Sequence, residues 1–273
     1  MSQVPYLMRL FSLLAAAVAV LSLGGCPAAS QKPGEADSAK ASTKEIAERA
    51  PSSLPQSNHE IPADLGEPLV DSPADLTRLE PASPAWIDKR NKQVVLLGSA
   101  CKADYPLEFF ATYPDRGYES VVVIYTKPSV VHAALLALGA KPGKPVQYQP
   151  TFTPPTGTEV EIVVSWKDRA GKRQKTRAQQ WIRDIKTKKP LESNWVFAGS
   201  VFWEDKATGA KSYLADRGDF ISVLNLPTAL LDLPIESASA LESRLFEGFV
   251  EHLPPLGTPV TLILQPKLAA TPE

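Results

Sequence analysis

The residues with the clearest capacity for binding chemistry are cations between residues 167 and 189. This stretch carries ten basic residues against two aspartates. Arg173, Lys175 and Arg177 occupy alternate positions, so a β-strand there presents them on one face as a ladder of positive charge. This basic ladder attracts anionic lipid, a polyanionic glycan or an acidic protein partner, including an acidic stretch of the same chain. The competing interpretation is a solvated hairpin edge whose lysines prevent pairing with other strands.

Aromatic side chains form a second candidate surface, because aromatic rings bind sugars and apolar ligands. The concentrated set is Trp181, Trp195, Phe197, Phe202, Trp203 and Tyr213. Packing in the core explains the same residues at least as well. We take three of them, Trp181, Trp195 and Trp203, as candidate binding residues beside the basic ladder.

Short catalytic motifs are absent from the sequence. It contains no G-x-S-x-G, H-E-x-x-H, Walker loop or G-x-G-x-x-G. We therefore predict no catalytic residue, no cofactor and no His-rich zinc site, although a site of carboxylates with one histidine stays open. Four carboxylates without fixed spacing are interpreted as turn and rim residues, with an acid/base pair or a calcium site as the alternative. They are Glu204, Asp205, Asp216 and Asp219.

His132 is the remaining candidate for chemistry. It falls in a segment with helical periodicity, about 100° from the apolar stripe formed by Val131, Ala134, Leu135 and Leu138. At the margin of a helix it is expected to hydrogen-bond locally. The alternative is a ligand-binding or catalytic role, in which His132 works with a carboxylate in an open cleft as part of a hydrolase.

The N-terminus predicts export. Residues 10–23 form an apolar run preceded by Arg9, which is typical of a secretory leader and shorter than the roughly 20 residues of a spanning helix. Leu23-Gly24-Gly25-Cys26 resembles the bacterial lipobox, which implies a leader over 1–25, cleavage before Cys26 and acylation of its sulfur. The predicted partner is therefore a lipid bilayer, held through acylated Cys26. The predicted location is extracytoplasmic, at the outer membrane or the outer leaflet of the inner membrane, which makes nucleic acid an improbable partner.

Composition divides the exported chain into a linker and a domain. Residues 27–84 contain nine prolines, no aromatic residue and ten acidic against five basic residues, so we predict a disordered linker over 26–84. Its aliphatic part, residues 65–79, is expected to pack against the domain. The domain is predicted over 85–268, with a short tail over 269–273. Cys101 is its single cysteine, interpreted as a small buried side chain at a strand end, with a reactive thiol as the alternative.

The elements that position these side chains are mainly strands. Strand patterns occur at 85–88, 93–97, 107–111, 118–125, 219–224 and 258–264, and as two similar hairpins at 164–182 and 201–215. Residues 128–139 have helical spacing, with Ser129 as N-cap and Gly139 as the glycine after the end. A capping box at Ser239 predicts a second helix, with Leu241, Leu245, Phe249 and Leu253 on one face. Together these elements predict an α+β fold, a largely antiparallel β-sheet with two amphipathic helices.

Five segments are similar to a known family. They are residues 131–146 (VHAALLALGAKPGKPV), 178–183 (AQQWIR), 195–200 (WVFAGS), 226–234 (LPTALLDLP) and 254–260 (PPLGTPV). In this order they resemble the YdjY-domain family of bacterial envelope lipoproteins over about residues 85–266. The family has no established activity. Some relatives carry ferredoxin-like cysteine clusters, but this chain has no C-x-x-C, so the resemblance implies no iron–sulfur cluster here.

The sequence favours a non-catalytic binding or interaction module, anchored in the cell envelope, with an envelope protein or a polyanion as its partner. Two alternatives stay open. One is an envelope hydrolase that uses His132 with a carboxylate, and the other is a structural envelope protein.

Overall fold

The computed structural model describes residues 60–239, 243–244 and 246–269. Cys26, the predicted leader, the linker up to residue 59 and the tail from residue 270 lie outside these residues. No helix within the described residues has the length and apolar character that crossing a membrane requires.

Short strands make up most of the described chain. In chain order they are β1 (Thr77–Arg78), β2 (Ala85–Asp88), β3 (Gln93–Ala100), β4 (Phe109–Thr112), β5 (Ser120–Ile124), β6 (Glu159–Lys167), β7 (Arg173–Arg177), β8 (Ile182–Asp184), β9 (Trp195–Phe197), β10 (Phe202–Glu204), β11 (Lys211–Tyr213), β12 (Ile221–Ser222), β13 (Leu231–Asp232), β14 (Ala238–Ser239), β15 (Ser243–Arg244), β16 (Phe246–Gly248) and β17 (Pro259–Pro266). The described residues contain a single α-helix, α1 (Pro128–Ala137). Short 3-10 helices lie at Pro73–Asp75, Pro114–Glu119, Ala178–Trp181, Leu214–Arg217 and Val250–His252.

Eight of these strands close into a barrel. Their order is β3, β17, β6, β9, β13, β12, β4 and β5, and β5 pairs again with β3. Most pairs are antiparallel, but β4–β5 and β12–β13 are parallel. The predicted α+β fold is therefore wrong, because the described chain is mostly β and closed. Gly98 permits the closure, since a Cβ there would collide with the carbonyl oxygen of Val123 on β5.

The second predicted helix is also wrong. Leu241 and Leu245 lie outside the described residues, but the chain around them is extended. Strand β16 pairs antiparallel with β8. The described remainder of the predicted helix contains a short 3-10 helix, Val250–His252, and no α-helix. The apolar spacing of four residues in this segment is compatible with a helix. Tertiary pairing decides the conformation instead, because β8 would otherwise leave an edge without a partner strand and β16 supplies that partner. A side chain at Gly248 would also clash with Ala103.

Helix α1 lies where the sequence predicted it. It begins at Pro128 with Lys127 at the N-cap position, so the prediction of Ser129 as N-cap is wrong. Ser129 lies in the first turn, where its amide donates to the carboxylate of Asp216 at 2.8 Å. Its end is confirmed at Gly139, whose φ of 96° lets the amides of residues 139 and 140 bond back to the last turn. The predicted apolar stripe is buried against the barrel.

The core fills the inside of the barrel and the space under α1. Its largest fully buried side chains include Phe109, Phe110, Trp181, Trp195, Phe197 and Phe220. Cys101 follows the end of β3 and is buried, which confirms its interpretation as a small core side chain. Both predicted hairpins are confirmed, as β6–β7 and as β10–β11.

Residues 60–79, which we call the strap, lie along the outside of the barrel. Along β3 the alternate residues Val94 and Leu96 face the core, whereas Val95 and Leu97 face outward into a second cluster with Leu65. Val70 and Leu76 of the strap pack against that cluster, and β1 pairs with β2. The predicted packing of residues 65–79 on the domain is confirmed.

Candidate binding surface

The basic ladder lies on β7 as predicted. This strand pairs antiparallel with β6, placing Arg173 opposite Lys167, Lys175 opposite Ser165 and Arg177 opposite Val163. The alternation of a strand puts the three cations on one face, where the side chains of Lys175 and Arg177 are about half exposed. The predicted geometry is confirmed, whereas the binding role of these residues stays a prediction.

The strap places a carboxylate on this ladder. Arg173 Nη1 donates to Asp71 Oδ1 at 2.7 Å, and Lys175 Nζ lies 3.6 Å from Asp71 Oδ2. The hydrogen bond from Arg173 holds the pKa of Asp71 below its ordinary value. Asp71 is 74% exposed, so this pairing contributes at most about 1 kcal/mol to stability. The ladder thus holds an anion supplied by the same chain.

Neighbouring side chains position the two guanidinium groups. Arg173 Nε donates to Ser165 Oγ at 2.9 Å, and Ser165 in turn donates to the Gln174 carbonyl. Arg173 Nη2 is buried and has no hydrogen-bond partner in the described part of the chain. Arg177 Nη2 donates to Asn194 Oδ1 at 2.8 Å. The guanidinium groups of Arg173 and Arg177 are therefore held in place on the face of β7.

A groove of about 430 Å³ continues from the end of the ladder. Its charged lining residues are Arg177, Lys189 and Glu192, and Gln179, Gln180 and Leu191 complete most of the wall. The groove is open and most of its lining residues are polar or charged, so it suits part of an extended anionic partner and not an enclosed apolar ligand.

The predicted aromatic platform does not form. Trp181 and Trp195 are fully buried, and Trp195 Nε1 donates to the Ser222 carbonyl at 2.7 Å inside the core. They cannot contact a ligand at the surface, because both are packed within the main core. Trp203 lies apart on the β10–β11 hairpin, half-buried beside Phe202, which is 68% exposed.

His132 hydrogen-bonds to Tyr213 on the distant strand β11 and not locally as predicted, and it has no carboxylate partner within the described residues. Its Nδ1 lies 2.8 Å from the Tyr213 hydroxyl, which donates to the Gly199 carbonyl at 3.0 Å. Since the Tyr213 proton is used there, His132 Nδ1 carries the proton of the first hydrogen bond. Burial lowers the pKa of His132 and favours the neutral ring. The contact of His132 with a carboxylate that the hydrolase alternative requires is not present among these residues.

The four candidate carboxylates have separate structural contacts. Asp216 accepts the hydrogen bond of the Ser129 amide at the start of α1. Asp219 forms an ion pair with Arg116 at 2.8 Å. Asp205 accepts hydrogen bonds from the amides of residues 207 and 208 in the hairpin turn. Glu204 lies 3.6 Å from Lys211 across the same hairpin. In the described residues no three acidic, histidine or cysteine side chains converge in a way that could hold a metal ion.

Sequence reasoning missed two notable residues, Asp71 and Asp232. The signal for Asp71 was the uneven charge of the predicted linker, since residues 60–84 carry six acidic residues against one basic residue. Asp232 is fully buried, and burial raises its pKa to about 8. The sequence feature that indicates this residue is its position in an apolar run between two prolines, where an acidic residue is unexpected.

Three of the segments singled out in the sequence meet around His132. The amide of Gly143 donates to the Phe197 carbonyl at 2.9 Å, and the amide of Gly199 donates to the Leu230 carbonyl at 3.1 Å. Gly199 has a φ of 87°, and a Cβ there would clash with Pro142. These segments 131–146, 195–200 and 226–234 therefore form a structural junction beneath α1.

The described residues define a closed, mainly antiparallel barrel domain with one α-helix and a basic outer strand. The YdjY domain family matches residues 85–265, about two thirds of the chain. The chain belongs to the YdjY domain family. No curated protein and no solved structure matches it significantly.

Proposed function

We propose that this chain is a non-catalytic interaction module of the bacterial cell envelope, anchored through acylated Cys26, which binds an anionic partner through the basic ladder. The lipobox resemblance and the Pro-rich linker support the anchor. Membership of the YdjY domain family is compatible with this role.

The observation that carries the binding proposal is the position of Asp71. Its two carboxylate oxygens lie against two different cations, Arg173 and Lys175. An exposed carboxylate held by two cations supports the proposal that the ladder accommodates an anionic group. A partner with several anionic groups can engage Arg177 and Lys189 as well, which a single aspartate cannot.

The hydrolase alternative has less support. His132 bonds to Tyr213 and lies within the junction of packed segments, with a pKa below its ordinary value. A general base needs reach to a substrate proton, whereas His132 Nδ1 is engaged by the Tyr213 hydroxyl at 2.8 Å.

Polyphosphate is a suitable probe for the ladder, because it carries closely spaced charge without a peptide backbone. We expect the double variant Arg173→Gln/Lys175→Gln of the full chain to bind polyphosphate about tenfold more weakly than the unchanged protein, measured by calorimetry at low salt. The matched control is Lys141→Gln/Lys144→Gln, which removes two exposed cations from the loop after α1 and should lower the affinity much less. Equal losses in both double variants would refute a specific role for the ladder.

Asp71 itself provides the converse test. Asp71→Asn removes the competing charge, so we expect polyphosphate to bind about two- to threefold more tightly, in line with the small energy of an exposed ion pair. Glu60→Gln is the control, because it removes one charge from the same strap at an exposed position without a ladder contact in the described structure. If both substitutions have the same effect, Asp71 does not occupy the binding site.

A further inference from the structure

Strand β7 has one open edge. It pairs only with β6 among the described strands, and no described residue hydrogen-bonds to its backbone from the other side. Open edges carry unpaired N–H and C=O groups, and these are satisfied by water or by an added strand.

The register identifies the groups that face this edge. The Asp168 amide donates to the Lys172 carbonyl at 3.0 Å, so residues 168 and 172 form a hydrogen-bonded pair. Hydrogen-bonded and non-hydrogen-bonded residue pairs alternate along two antiparallel strands. The backbone groups of residues 174 and 176 are therefore the ones that bond to β6. The N–H and C=O groups of Arg173, Lys175 and Arg177 therefore point to the open edge.

The same three residues carry the cations of the basic ladder. An added strand would place the side chains of its directly opposite residues on the ladder's face, where opposite charges stabilise cross-strand pairs. The position of Asp71 demonstrates that a carboxylate fits between two of these cations. Beyond Arg177 the chain offers the groove with Lys189, into which a longer partner can continue.

We propose that the open edge of β7 accepts an extended acidic peptide segment of a protein partner, which adds a strand to the sheet with carboxylates at alternate positions. This inference rests on the proposed function and specifies its partner. Among anionic partners, only a polypeptide offers alternating N–H and C=O groups that match the unpaired groups of the edge. A glycan or lipid headgroup can neutralise the cations but leaves this hydrogen-bonding pattern unmatched.

The probe is a blocked hexapeptide with alternating glutamate and threonine, added to the full chain. We expect it to slow hydrogen exchange of the Lys175 amide, while the Thr176 amide, already bonded to β6, changes little. A peptide of the same charge, N-methylated at each glutamate, loses the donors that face the edge and should bind about tenfold more weakly. The Arg173→Gln/Lys175→Gln variant should weaken binding of the unmodified peptide.

Two results would overturn the inference in distinguishable ways. Equal binding of both peptides without protection of Lys175 would mean recognition by charge alone, which contradicts strand addition and leaves the proposed function intact if polyphosphate still depends on the ladder. Failure of both the peptide and polyphosphate to bind would reject the strand addition together with the proposed function.

Discussion

At the scale of single residues, Asp232 has the most unusual environment in the described chain. Its carboxyl group accepts hydrogen bonds from Asn225 Nδ2 at 3.1 Å and from the amides of Leu226 and Leu233 at 3.3 and 2.8 Å. No cation pairs with it among the described residues, so burial dominates and raises its pKa to about 8. The folded protein therefore favours the protonated form of this residue.

This shift predicts a pH-dependent stability with a definite sign. The folded state retains the Asp232 proton up to about pH 8, whereas the unfolded chain loses it near pH 4. The stabilisation is complete below about pH 4 and is lost as the pH rises toward 8. We expect Asp232→Asn to reduce this slope, measured by urea unfolding between pH 6.5 and 8.

Two other titratable residues, His132 and Glu236, must be considered in this measurement. Burial lowers the pKa of His132, which reduces stability as the pH falls through about 6.5; this contribution is common to Asp232→Asn and the unchanged protein, so it cancels in the difference between their slopes. Glu236 lies near the same loop, since it contributes to the raised pKa of Tyr148, and Glu236→Gln at this exposed position should change the slope less than Asp232→Asn does. An unaltered slope in Asp232→Asn would disprove the assignment.

At the scale of elements, the strap completes the outside of the barrel. Trp86, Val95 and Leu97 face away from the main core, and they are buried because strap side chains cover them. The Leu69 amide also donates to Thr261 Oγ1 at 2.9 Å, in the cross-strand row of Thr261, Ser165 and Lys175. The strap thus contacts both the apolar cluster and the basic ladder.

Truncation of one strap side chain should measure how much the strap contributes to the free energy of unfolding. Leu65 is 6% exposed, so we expect Leu65→Ala to lower the free energy of unfolding by about 2 kcal/mol through lost burial and a partial cavity. Urea denaturation of the full chain measures the change. Ile61→Ala, at a strap position that is 37% exposed, is the control and should cost below about 0.5 kcal/mol. Indistinguishable costs at the two positions would mean that the strap is not part of the cooperative unit.

At the scale of the whole molecule, charge is unevenly distributed along the chain. The acidic excess of the predicted linker lies in residues 60–84, next to the barrel, whereas residues 27–59 carry four acidic and four basic residues. The part nearest the predicted anchor is therefore neutral overall, and the acidic part contacts the basic face of the domain. Self-pairing of this kind reduces non-specific attraction to other anions.

The predicted anchor has a direct test in the intact chain. In a bacterium that processes lipoproteins, Cys26→Ser should move the protein from the membrane fraction to a fraction released without detergent, because the acyl chains supply the membrane affinity. Mass spectrometry of the unchanged protein should find a diacylglyceryl group on Cys26. Cys101→Ser is the matched control, since its buried thiol takes no part in anchoring. Membrane retention of Cys26→Ser would contradict the lipid anchor.

Local rules explain which features were predictable from the sequence. Helix α1 is bounded by a proline and a glycine whose effects act within one turn, and the hairpins β6–β7 and β10–β11 follow from glycine turns between alternating residues. The basic ladder required only the alternation of Arg173, Lys175 and Arg177 on one strand. Each of these features depends on residues close together in the chain.

Tertiary structure alone decided the rest, because the responsible contacts join distant residues. Closure of the barrel depends on pairing of β3 with β5, and the extended chain at β16 depends on β8. The burial of Trp181 and Trp195 depends on core packing with residues distant in sequence. The Asp71 contact joins positions about one hundred residues apart. Sequence patterns report the preference of a segment, whereas the choice among partners is made by the free energy of the whole packed molecule.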